Sequence, residues 1–112
     1  MHSYILTLHD PANPEQLVRL DLLQLKKSAI LLRAINHKLR QDILQWINEK
    51  ERVTVTELYI QLRLEQSVAS QHLAVLRKAG FVKTIREGKF IYYSVNIERI
   101  RAVAGFMEEL VG

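Results

Sequence analysis

The stretch Ser67-Val-Ala-Ser-Gln-His-Leu-Ala-Val-Leu-Arg-Lys-Ala-Gly80 constrains the fold more than any other part of this chain. Ala69, Leu73 and Leu76 recur at helical spacing and mark one apolar face. Ser67, Gln71, Ala74 and Lys78 fall almost opposite, with Ser70 on the flank. Gly80 is the expected helix terminator. The chain then enters two β-rich runs, Phe81 to Arg86 and Phe90 to Val95, joined by the tight turn Glu87-Gly88-Lys89. Few folds place a half-polar helix directly before a basic, aromatic hairpin.

The flanking sequence predicts further helices. Asn13-Pro14 reads as a helix start, a capping side chain followed by proline at the first helical position. The Leu-rich run from Glu15 to about Ile35 has no internal Gly or Pro, and its apolar residues cover more than one face. Such a helix is usually buried on more than one side, which in so small a protein points to a partner subunit. A second helix is predicted from about Lys38 to Asn48, with Leu39, Ile43, Leu44 and Ile47 at helical spacing and Trp46 as a large anchor. Glu49 to Arg52 is a charged turn. Thr54 or Thr56 can cap a third, short helix holding Leu58 and Leu62. Asn96 caps a last helix whose stripe is Ile97, Ile100, Ala104, Met107 and Val111. Residues 1–14 fit either a short strand, from the alternation of Tyr4, Leu6 and Leu8, or a frayed arm.

With 112 residues, 48% of them hydrophobic, the chain is expected to form one domain with a modest core. No apolar run approaches the ~18 residues of a membrane helix, and no signal peptide is evident. The absence of cysteine excludes disulfides, thiolate metal sites and thiol redox sensing. A cytoplasmic location is the expectation. Between Arg63 and Phe90 six positive residues (Arg63, Arg77, Lys78, Lys83, Arg86, Lys89) stand against two negative (Glu65, Glu87), which leaves +4, the excess of the whole chain. A local basic patch attracts polyanions, of which nucleic acid is the commonest. No Ser/His/Asp set, paired acids or phosphate-cradling Gly loop suggests an enzyme.

The segment from Leu32 to Val95 resembles the ArsR/SmtB family of bacterial repressors. Leu39-Arg40-Gln-Asp-Ile43-Leu44 is similar to the family's second helix, and Gln66 through Val82 to its recognition helix. Arg86-Glu-Gly88-Lys89 through Tyr92-Tyr93-Ser-Val95 is similar to its wing. The flanking helices occupy the places of its dimerisation helices. The resemblance implies a mainly α fold with a small β-hairpin: a winged helix-turn-helix dimerising through its first and last helices. The expected organisation is an arm or strand over 1–14 and one domain over 15–112. Within that domain the turn and recognition helix span about 55–79, the wing about 81–95 and the dimerisation helix about 96–111. The implied function is a homodimer that binds an imperfect palindrome in double-stranded DNA and represses transcription until a ligand releases it.

The departures concern the switch. The family's thiophilic metal site uses Cys-Val-Cys at the start of the third helix, where this chain reads Thr54-Val55-Thr56. Its other metal site uses Asp and His along the last helix, and Asn96 to Gly112 contains neither. The histidines at 2, 9, 37 and 72 show no i, i+3 or i, i+4 spacing. No metal and no cofactor is expected, and the inducer is not legible.

The expected DNA-contacting residues are Gln66, Ser67, Ser70, Gln71, His72, Arg77, Lys78, Lys83, Arg86, Lys89 and Tyr92. Gln71 can pair bidentately with adenine. Ser67 can also serve as a plain helix cap. His72 borders the apolar face, so bracing of the turn competes with a backbone contact. Tyr92 and Tyr93 alternate across the strand, one toward the core and the other toward DNA. The expected dimer interface comprises Leu17, Leu20, Ile97, Ile100, Ala104, Met107 and Val111. The competing reading is a winged-helix module that docks an acidic protein.

Overall fold

The computed structural model describes residues 4–112, so His2 lies outside the described residues. In order the chain forms β1 (Ile5–Asp10), β2 (Asn13–Asp21), α1 (Leu22–Ile35), α2 (Lys38–Lys50), α3 (Val55–Gln61), α4 (Gln66–Lys78), β3 (Val82–Glu87), β4 (Phe90–Val95) and α5 (Ile97–Val111). It divides into two compact units, Met1–Arg33 and Ala34–Gly112.

The first unit corrects the expected helix start at Asn13-Pro14. Residues 13–21 are the second strand of an antiparallel hairpin, with Leu6 opposite Leu20 and Leu8 opposite Val18. The Asp10 carboxylate accepts from the Ala12 amide at 2.9 Å and tightens the turn that holds Pro11. Pro14, which has no N–H to donate, falls where the register shifts between His9 and Asp10. The true start of α1 is Asp21, whose Oδ1 accepts from the amides of Leu23 (2.9 Å) and Gln24 (3.1 Å). Leu and Glu favour helix locally, but pairing with β1 decides the conformation of 15–21. Leu17 and Leu20, expected on one helix, therefore point to opposite faces of a strand. Strand parity puts Leu6, Leu8, Val18 and Leu20 on one hairpin face, all of them exposed.

The second unit holds the core. Ile43 and Ile47 of α2, Leu58 of α3, and Ala69, Leu73 and Leu76 of α4 meet Val53, Phe81 and Val82. The apolar faces read for α2 and α4 are the ones that are buried, whereas the stripe read for α5 is not. Thr54, rather than Thr56, caps α3 through a full capping box: its hydroxyl accepts from the Glu57 amide, and the Glu57 carboxylate accepts from the Thr54 amide. Arg63, with φ 55°, turns the chain between α3 and α4. Beyond α4, Gly80 adopts φ 82°. The Phe81 amide reaches back to the Leu76 carbonyl (2.9 Å) and the Gly80 amide to that of Arg77 (3.0 Å). These two bonds form a Schellman closure, and Phe81 buries its ring as its hydrophobic partner. The sharp stop launches β3 directly from the end of α4.

β3 and β4 pair antiparallel from Val82↔Val95 to Glu87↔Phe90. Gly88, with φ 62°, opens the two-residue turn. Val53 and Tyr93 exchange backbone hydrogen bonds of 3.0 and 2.7 Å, which fix the base of the hairpin to the α2–α3 connection. Asn96 caps α5 as expected, accepting from the Arg99 amide (3.4 Å), and donates to the Gly80 carbonyl (3.0 Å). No residue of α5 is buried.

Candidate nucleic-acid interface

The outer face of α4 is exposed at Gln66, Ser67, Ser70, Gln71, Ala74, Arg77 and Lys78. No side chain caps α4, so Ser67 is not its cap; the N-cap is Glu65. Arg77 and Lys78 occupy the last turn, where cations meet the negative end of the helix dipole.

A groove runs along this face. Val55, Ser70, Ala74, Arg77, Lys78 and Tyr93 line it. The tyrosine beside the groove is thus Tyr93, while Tyr92 belongs to the other face of the hairpin. There the Arg52 guanidinium lies 4.1 Å from the centre of the Tyr92 ring and donates to Glu87 at 2.7 Å. That hydrogen bond and the charge of Arg52 hold the Glu87 carboxyl below its usual range. Lys83 shares the Tyr92 face by parity, whereas Arg86 shares that of Tyr93. Arg86 donates through Nε to the Gly88 carbonyl (3.2 Å), and the Lys89 ammonium lies 5.6 Å from the Phe90 ring centre. Both cations remain exposed at the end of the hairpin.

His72 turns the other way. Its Nδ1 accepts from Arg40 Nε at 3.1 Å, and its ring lies 5.0 Å from that of His37. Arg40 also donates to the Ala34 carbonyl at 3.1 Å. Burial first, then the Arg40 charge and His37, lower the pKa of His72 from its ordinary value. His72 is thus set against the start of α2 rather than against the turn that precedes α4.

The structure adds three residues that the sequence left without a role, Arg40, Arg52 and Val55, and sets Tyr93 rather than Tyr92 beside the groove. The β alternation showed that one tyrosine faces the helix side without saying which. Arg40 and Arg52 act across 32 and 35 residues of chain, so no local pattern carries their roles.

The position of the thiophilic site was also read from the sequence. Thr54 Oγ1 is engaged by Glu57, accepting from its amide (3.2 Å) and donating to its carboxylate (3.0 Å). A capping hydroxyl of this kind does not fit a soft metal ion. Among the described residues no group of three or more His, Asp or Glu side chains could hold a metal. No helix of the described residues is long and apolar enough to cross a membrane.

A helix presented by a helical turn and flanked by a basic hairpin defines a winged helix-turn-helix DNA-binding protein. The chain belongs to the arsR family of bacterial regulatory proteins, whose profile matches residues 37–84. It is 33% identical over 92 residues to the uncharacterized HTH-type transcriptional regulator YbzH of Bacillus subtilis, covering 70% of this chain and 92% of that one. It is 34% identical over 84 residues to the transcriptional activator HlyU of Vibrio cholerae, covering 75% and 77%. The crystal structure of the transcriptional repressor PagR of Bacillus anthracis superimposes with a TM-score of 0.62 at 30% identity, covering 76% of this chain and 97% of that one. The chain is accordingly a DNA-binding transcriptional regulator and not an enzyme.

Proposed function

We propose that the chain acts in the cytoplasm as a homodimeric repressor that binds an imperfect palindromic operator. The observation that carries this reading is the exposed polar face of α4 lying along a groove that Arg77 and Lys78 help to line. In this reading Gln66, Ser67, Ser70 and Gln71 reach base edges and nearby phosphates in the major groove, with Gln71 the adenine reader. Arg77 and Lys78 neutralise phosphate, and Tyr93 takes the place first assigned to Tyr92. Arg86 and Lys89 carry the wing to the flanking backbone or minor groove. Lys83 and Tyr92 serve the outer face of the wing.

The two-fold symmetry of the operator calls for a dimer. The α5 stripe Ile97, Ile100, Ala104, Met107 and Val111 supports one, because none of it is buried within the chain. Phe106 and Leu110, also exposed, extend that surface. Release from DNA does not run through the family's thiophilic metal site, since Thr54 and Thr56 replace the thiolates.

The test is an electrophoretic shift with duplex DNA from upstream of the chain's own coding sequence. Binding should weaken steeply with salt, each neutralised phosphate contributing ~0.9 to the logarithmic slope. Zinc salts and chelators should leave the shift unchanged. A shift without salt dependence, or equal affinity for random duplex, overturns the reading.

A further inference from the structure

One polar cluster of the second unit is not used by the surface that meets DNA. It joins the first turn of α2 to the inner flank of α4. Arg40 Nε–H points at His72 Nδ1 (3.1 Å), and the same guanidinium donates to the Ala34 carbonyl (3.1 Å). Arg40 is thereby held at two points and half-buried. His37 caps α2 by accepting from the Arg40 amide at 3.5 Å and sets its ring against that of His72.

We propose that Arg40 and His72 are a positioning pair, setting how α4 is presented to DNA, and that the pair operates only while the His72 ring is neutral. The proposal rests on the reading of α4 as the DNA-contacting helix. Its basis is the direction of one hydrogen bond. Arginine has donors only, so Nδ1 of His72 must carry a lone pair and the ring proton must sit on Nε2. Protonation would turn Nδ1 into a donor facing a donor and set a second cation beside Arg40.

The groups that bear on His72 from α2 are Arg40 and His37, and both oppose its protonation. No charged group of α3 or β3, which also pack on α4, bears on it. The lowered pKa agrees with this arrangement. The folded chain binds this proton less readily than the unfolded chain does. The stabilisation is therefore complete above the ordinary histidine pKa and declines as pH falls through the lowered one. His72 lies directly beside Gln71, so a loosened ring would shift the reading face itself.

Two measurements test the pair. Nitrogen NMR of histidine-labelled protein at neutral pH should show His72 Nδ1 unprotonated and accepting, with the proton on Nε2. Binding to the upstream duplex is then compared at about pH 7.5 and at a pH below the His72 transition that the same NMR signals report, for wild type and for His72→Gln, which does not titrate. Both are repeated in a His37→Asn background, which keeps a capping side chain. Whatever its affinity at neutral pH, His72→Gln should lack the pH-dependent loss. Acidification should cost the wild type about threefold to tenfold relative to the variant, one hydrogen bond's worth. A protonated Nδ1 at neutral pH, or wild-type binding that tightens on acidification relative to His72→Gln, overturns the proposal and returns His72 to a phosphate contact. Equal pH slopes overturn it while leaving the DNA reading intact. A chain that shifts no duplex at either pH overturns both.

Discussion

Residues of the same chemical type carry unequal roles on this surface. Gln71 stands on the exposed front of α4, and a bidentate amide pair with adenine discriminates by ~1–3 kcal/mol. Gln71→Ala should lower the preference for operator over random duplex by that amount, read from competition titrations, with little change in affinity for random DNA. Lys89 stands at the exposed end of the wing. Lys89→Ala should weaken operator and random duplex alike and reduce the salt slope by ~0.9. Arg52 is also basic and exposed, yet it is committed to Glu87 and the Tyr92 ring. An exposed ion pair of this kind adds little stability; its effect is to fix the wing against the α2–α3 connection.

Among the elements, the cap at Asp21 separates two secondary structures within a run that reads as one. The strand ends and the helix begins where the Asp21 carboxylate takes the first free amides of α1. Asp21→Ala should cost that junction about 1 kcal/mol, seen as faster amide exchange at Leu23 and Gln24 and little change in the core of α4. The hairpin before it has an exposed apolar face. A two-stranded hairpin is marginal alone in water, so its exchange should be fast compared with that of β3 and β4, which Val53 anchors.

For the whole molecule the decisive feature is a helix with no fully buried residue. Met107 is 44% exposed and Leu110 68%, although α5 is amphipathic and fifteen residues long. Met107→Glu touches that outward surface, whereas Ile100 is already half-buried and its replacement would also disturb the fold. Met107→Glu should shift sedimentation at micromolar concentration from dimer to monomer and abolish tight operator binding. Wild-type protein that sediments as a monomer removes the palindrome from the reading.

The sequence alone determined the elements whose boundaries are chemical and local. The polar and apolar faces of α4, its stop at Gly80, the wing turn at Gly88 and the Asn96 cap all follow from residue type at fixed spacing. The family likeness and the exposed face of α4 proposed to meet DNA were legible for that reason. Tertiary structure decided whatever depends on partners far along the chain. Residues 15–21 carry helix formers, yet pairing with β1 makes them strand, and Leu17 and Leu20 part to opposite faces. The choice between Tyr92 and Tyr93 depends on which hairpin face meets α4. The turning of His72 toward Arg40 depends on a residue 32 positions away. Spacing within an element sets which side chains share a face; only packing sets what that face meets.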